Sequence, residues 1–232
     1  LNADDVQVAR TANLTQLEAD GPISLERARI GGGLLLDELR ATRIPPGVPE
    51  SSAPRLPALC ADHLSVGASA SLQRGILEGG VRIKHARVAG PLDLSGCIVG
   101  GNTAANVHGG YVEDGVRLDG CSVDGDLIVN RQHYATAVNE IAPTLIDGDL
   151  SLEQARIGGS LHLTCVAVND RLLMAGTRIA RDAFIVALRG TSLTTAALGT
   201  SVGAEADLSN VRIGGQLHFS GASVGGSLSM LA

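Results

Sequence analysis

Aromatic residues are almost absent: two Phe, two Tyr and no Trp in 232 residues. That excludes an aromatic-centred core and a base-stacking platform for single-stranded nucleic acid. Cysteine is scarce as well. Cys60, Cys97, Cys121 and Cys165 are too scattered for a disulfide framework and lack zinc-ligand spacing. No run of about 18 apolar residues could span a membrane, and no basic-then-apolar signal segment opens the chain. A cytoplasmic setting is therefore expected. Positive charge is in deficit, with 18 Lys+Arg against 24 Asp+Glu and a net charge of −6. Direct binding to nucleic acid or to anionic lipid is disfavoured. What the chain does have is glycine, 30 residues, about twice the usual share. It is also 44% hydrophobic, which argues against disorder and requires a core of Leu, Ile, Val and Ala.

These residues recur with a period. The segments ISLERARIGGG (23–33), VRIKHARVAGP (81–91), LSLEQARIGGS (150–160) and ADLSNVRIGGQ (206–216) share one pattern. It reads apolar-x-apolar-x-x-small-x-apolar-x-x-x, an eleven-residue unit. Twenty such units can be counted, the last truncated, with weak ones starting at Asn139, Ala183 and Thr195. The frame slips by fourteen residues at 45–58, by two at 103–104, and by one each near Val138 and Thr194.

Apolar pairs at i and i+2 indicate short strands with two inward side chains. The three- and four-residue spacing of a helix is missing over most of the chain. Such short strands are stable only when each pairs with its copy one coil above and below. Two units, or about 22 residues, make a coil with four sides, because that choice stacks like on like. The expectation is an all-β, single-stranded, right-handed parallel β-helix, a four-sided solenoid domain over 1–232. About ten coils give a rod of roughly 48 Å. Glycine should form its corners, and the Pro/Ser-rich 45–58 segment should leave the stack as an excursion.

Segments such as ANLTQ (12–16) and ADLSN (206–210) resemble pentapeptide-repeat proteins, whose motif is A(D/N)LXX. This chain alternates five-residue with six-residue sides. Its ARIGG form is similar to repeat segments of bacterial proteins labelled membrane-associated oxidoreductases, although no cofactor motif is present. The resemblance implies a right-handed, four-sided β-helix. It also implies one candidate role, that of a gyrase-binding DNA mimic conferring resistance or immunity to topoisomerase poisons.

Middle residues of the small-x-apolar sides point outward. Arg29, Arg87, Arg156 and Arg178 should share one face, with Tyr111 and His133 between them. They form either an acid-binding stripe for a protein partner or a solvated face whose stems cover the wall. His162 and His218 should fall on opposite faces, and no metal or general-base geometry emerges. Cys97 and Cys121 should stack one coil apart as reduced packing residues. VDGDL (123–127) and IDGDL (146–150) should stack one corner, bringing Asp124 over Asp147 and Asp126 over Asp149. Four gathered carboxylates would form a Ca²⁺ site, a phosphate-like patch for a basic partner, or a hydrated Asp-Gly turn.

The leading expectation is a non-catalytic scaffold or protein-binding surface, with no organic cofactor. A gyrase-binding DNA mimic is the alternative, and a β-helix enzyme acting on a polymer comes third. Leu1 and Met230 lie in register at the two ends, so the solenoid should continue in a longer chain or self-associate through its ends.

Overall fold

The computed structural model describes residues 1–42, 57–100, 115–130, 132–133, 141–142, 144–186, 201–202 and 204–230. These form four all-parallel sheets of eight strands each, in the expected four-sided coil. Sheet I holds Gln7–Val8, Arg29–Ile30, Ser65–Val66, Arg87–Val88, Ser122–Val123, Arg156–Ile157, Arg178–Ile179 and Arg212–Ile213. Sheet II runs from Ala12–Asn13 to Leu217–Ser220, sheet III from Glu18–Ala19 to Ser223–Val224, and sheet IV from Ile23–Ser24 to Leu228–Ser229. The chain visits sheets I, II, III and IV in turn, which makes one coil. None of the described residues lies in a helix that could cross a membrane.

Register confirms the 22-residue coil: Gln7 pairs with Arg29, Ser65 with Arg87, and Arg156 with Arg178. Four coil-to-coil steps are longer. Arg29 pairs with Ser65, Arg87 with Ser122, Ser122 with Arg156, and Arg178 with Arg212. Each of these steps exceeds the regular coil by slightly more than one repeat unit, so four connections are lengthened. The first two lie between sheets III and IV, the last two between sheets II and III.

Only the first coincides in sequence with the expected excursion at 45–58, of which 45–56 lie outside the described residues. The other three fall where the sequence pattern places repeat units beginning at Ala105, Asn139 and Thr195, with slips of one or two residues. An insertion slightly longer than the eleven-residue unit mimics one unit plus a slip, so periodicity alone cannot tell them apart. The result is eight coils instead of ten, spanning about 38 Å at ~4.8 Å per coil. In one long connection Gln132–His133 pairs antiparallel with Ile141–Ala142, which removes His133 from the arginine column. Tyr111 lies outside the described residues.

The core is the aliphatic ladder that the composition demanded. Leu150, Leu161 and Leu172 are at most 1% exposed, whereas Ile128 occupies an outward slot between Asp93 and His162. Leu92, Leu127 and Leu161 stack in one inward column, and Leu59, Val81, Val116, Leu150 and Leu172 in another.

The corners are of two kinds, and glycine dominates only one. Between sheets I and II the backbones of successive coils nearly touch. A Cβ on Gly158 would sit 2.5 Å from the Asp124 carbonyl oxygen, and one on Gly214 would sit 2.2 Å from that of Ala180. Between sheets IV and I, and between II and III, four-residue turns place their third residue in the left-handed region. Ten non-glycine residues take it, Gln16, Arg27, His63 and His85 among them, with φ between 54° and 60°. Each such turn costs backbone strain of order 1 kcal/mol. The turn closes with a local hydrogen bond, as from Leu17 N to Leu14 O at 3.2 Å. It also donates to the next coil, as from Gln16 N to Asp37 O at 2.8 Å.

Replacing Leu161 by Asp buries an unpaired carboxylate and should cost several kcal/mol, enough to abolish cooperative unfolding. Ile128→Thr, one residue from the same core ladder but outward, should shift stability by no more than about 0.5 kcal/mol. Thermal denaturation of the two variants checks the inward-outward assignment; equal melting temperatures would refute it.

Candidate functional site

Each strand of sheet I is two residues long, and the alternation turns one inward and one outward. Val or Ile faces the core in all eight, while the outward column reads Gln7, Arg29, Ser65, Arg87, Ser122, Arg156, Arg178 and Arg212. The four arginines expected to share a face do so, and all are exposed. Between Arg87 and Arg156, the places expected for Tyr111 and His133, the column holds one residue, Ser122. Arg212 completes the set, a residue that sequence reasoning missed. Its signal, VRIGG at 211–215, stands in the sequence, but the spurious unit at Thr195 shifts it to the wrong face. Arg156, Arg178 and Arg212 occupy adjacent coils and line a shallow open concavity of about 460 Å³ with Asp124 as its one carboxylate.

The electrostatics of this face differ from those of the rest of the surface. Among the described residues, Arg27, Arg40, Arg74, Arg82, Lys84, Arg117 and Arg171 each pair with a carboxylate within 4.0 Å. Arg29, Arg87, Arg156, Arg178 and Arg212 make no ion pair with any described residue, nor do Arg10 and Arg181 at the edge leading to sheet II. Guanidinium groups ~5 Å apart repel by about 0.8 kcal/mol in water, a cost that an apposed anion removes.

Sheet II presents a second ladder beside these three coils. His162, Phe184 and His218 fill successive outward slots and stack face to face. Their ring centroids are 4.9 and 4.6 Å apart and their planes within 10°. The two histidines thus share a face, contrary to the expectation of opposite faces. His63 and His85 stack at 5.4 Å on the corner between sheets IV and I. Gly120 closes over them, where a Cβ would meet His85 Nδ1 at 2.4 Å.

The acidic corner does not assemble. Asp124 follows the sheet I strand Ser122–Val123, whereas Asp147 follows the sheet III strand Thr144–Ile146, so the two sit at diagonally opposite corners. Asp126 accepts from Ser160 N at 2.7 Å, and Asp147 from the Asn169 amide at 3.0 Å. Asp149 is buried and holds Arg171 through its guanidinium at 2.7 Å. The stacking on which a Ca²⁺ site depended is lost, because the chain between Asn130 and Thr144 is a long connection and not a coiled unit. Cys97 and Cys121 are separated by a connection of the same kind. They precede strands on sheets III and I and donate to Leu72 O and Ile83 O respectively, though both are buried as expected.

Sequence reasoning passed over a cluster on sheet IV. Cys60 takes an outward slot between Ser24 and Arg82, with Glu26 and Asp62 flanking it. Ligand atoms of Glu26, Cys60 and Asp62 lie within 4.8 Å of one another, a spacing that could hold a metal ion. The Arg82 guanidinium already meets all three, with Nη2 3.0 Å from Cys60 Sγ and 3.1 Å from Glu26 Oε1, and Nε 2.8 Å from Asp62 Oδ2. Burial, reinforced by donation to Glu26 at 2.8 Å, pushes the Cys60 thiol up to about 12. The Arg82 guanidinium thus draws the three groups into one polar cluster.

No protein-family model, curated protein or solved structure matches this chain.

Burial raises Cys97 and Cys121 to about 12 as well. These folded thiols keep their protons above pH 9, the ordinary value from which they are shifted, while unfolded ones release them. The thiol contribution to stability should therefore be constant below pH 9 and fall between pH 9 and 12. In a thiol-disulfide exchange assay at about pH 8, below the unperturbed thiol value, the native protein should react far more slowly than the guanidine-unfolded chain. Rapid labelling of the native protein would contradict the burial of these thiols.

Proposed function

We propose that the chain is a non-catalytic β-solenoid scaffold whose sheet I binds an acidic protein surface. One observation carries this reading. Among the described residues, every Lys or Arg side chain without a carboxylate partner lies on sheet I or on its edge toward sheet II. Among the described residues the cations of the other faces are neutralised internally, whereas five arginines stand unpaired on one wall, an arrangement suited to meeting external anions. The concavity on this wall is shallow and open, and the column of charges along the axis suits an extended contact. Kinship with pentapeptide-repeat solenoids and a cytoplasmic setting belong to the same reading. A gyrase-binding DNA mimic would instead need a continuous carboxylate stripe, and sheet I presents arginines in its place.

Fluorescence anisotropy with labelled poly-L-glutamate tests the proposal. The protein should bind at about 20 mM salt and release on raising the salt. Arg156→Ser, Arg178→Ser and Arg212→Ser together should weaken binding about tenfold, at roughly 0.5 kcal/mol for each exposed pair lost. Binding unchanged by the triple substitution, or none at low salt, would reject sheet I as the docking wall.

A further inference from the structure

The carboxylates are distributed as unevenly as the arginines. Among described residues, the corner between sheets III and IV carries Asp20, Glu78, Asp147, Asp170 and Glu205. None of the five makes an ion pair with a described residue, and among described residues their one side-chain partner is the Asn169 amide on Asp147. Asp20, Glu78, Asp170 and Glu205 are exposed and Asp147 is partly so. Asp147, Asp170 and Glu205 fall in three successive coils, the fifth to the seventh. There the connection from sheet III to sheet IV is short: Ile146 to Asp149, Val168 to Leu172, and Val202 to Ala206. The lengthened connections between these two sheets belong to the second and fourth coils instead. Sheet I lies across the section from this corner.

We infer that the acidic surface met by sheet I is the III–IV corner of a second copy of this chain, docked side by side. The inference rests on the reading of sheet I as an anion-binding wall and names its partner. The arginines are direct register partners and repeat at ~4.8 Å along the axis. The acids, one per coil, share that axial rise but step sideways by one residue per coil, with Asp147 level with Asn169, Asp170 with Gly148 and Glu205 with Arg171. Arg156, Arg178 and Arg212 can therefore face a slanted patch of Asp147, Asp170 and Glu205, one carboxylate for each coil. An extended peptide offers same-face charges every ~6.6 Å and falls out of step after one. The net charge of −6 makes two copies repel in most orientations, which favours the one that apposes the opposite rows. The two surfaces lie at different places on the molecule, so the contact is heterologous. Each docked copy keeps a free wall on one side and a free acidic corner on the other, and lateral rows can grow.

Sedimentation velocity of the full chain over a concentration series tests this. At about 20 mM salt the weight-average mass should rise above the monomer value with concentration, and at about 0.5 M salt it should return to that value. The Arg156→Ser, Arg178→Ser, Arg212→Ser variant should remain monomeric alone. So should an Asp147→Asn, Asp170→Asn, Glu205→Gln variant, since each lacks one half of the contact. Mixed, they should form a 1:1 dimer and nothing larger, because only one complementary pair of surfaces survives. The acidic-corner variant should still bind poly-L-glutamate. A wild-type chain that stays monomeric at low salt overturns the second-copy inference, while poly-L-glutamate binding reports separately on the wall. Association that persists in the arginine variant, or resists salt, also overturns it and assigns the contact to the solenoid ends. Failure of both association and poly-L-glutamate binding would reject the wall itself.

Discussion

Everything in this molecule depends on the hydrogen-bonded register between one coil and the next. A two-residue strand has no independent stability; it persists because its amides and carbonyls pair with copies one coil away. That pairing leaves no freedom in what stacks on what. Leu92, Leu127 and Leu161 must form one column, and Ser122, Arg156, Arg178 and Arg212 another. The core can be built almost wholly from small aliphatic side chains because each column is filled by repetition, with no large ring needed to bridge a gap. The corners obey the same constraint. Gly158 and Gly214 admit the neighbouring coil's backbone, while Gln16, Arg27 and His63 accept a left-handed backbone conformation in order to keep the ladder continuous.

Repetition that stacks hydrophobic residues also stacks charges, and the molecule handles this differently on different sides. On sheet IV opposite signs interleave. Arg82 joins Glu26, Asp62 and the protonated Cys60, and Arg117 lies between Asp119 and Asp149. On sheet I like charges are left facing solvent. Unrelieved repulsion along a ladder destabilises it slightly, by an amount that solvent and salt screen. An arrangement of this kind is consistent with a wall kept available for association, and the III–IV corner carries carboxylates that are just as unpaired among the described residues.

Aromatic stacking on sheet II follows from the same geometry. His162, Phe184 and His218 are far apart in sequence, the two histidines in copies of RIGG-x-Leu-His at 156–162 and 212–218, and the register lays the three rings nearly parallel in one column. Their faces are occupied by one another, so only edges meet solvent along most of the stack.

The eleven-residue pattern by itself determined the strands, the four sides, the 22-residue coil and the inward positions, because hydrophobic periodicity is a local property that each unit displays on its own. It also placed Arg29, Arg87, Arg156 and Arg178 on one face. Two lengthened connections separate Arg87 from Arg156, so two miscounted units cancel. Where one such connection intervenes, the inferred face is wrong. Arg212, the pairing of His162 with His218, the stacking of Cys97 on Cys121 and that of Asp124 on Asp147 all failed in this way. A lengthened loop and one repeat unit occupy nearly the same stretch of chain. Only interstrand pairing in three dimensions decided which residues enter the stack and which leave it, since the difference lies in where the backbone hydrogen bonds go.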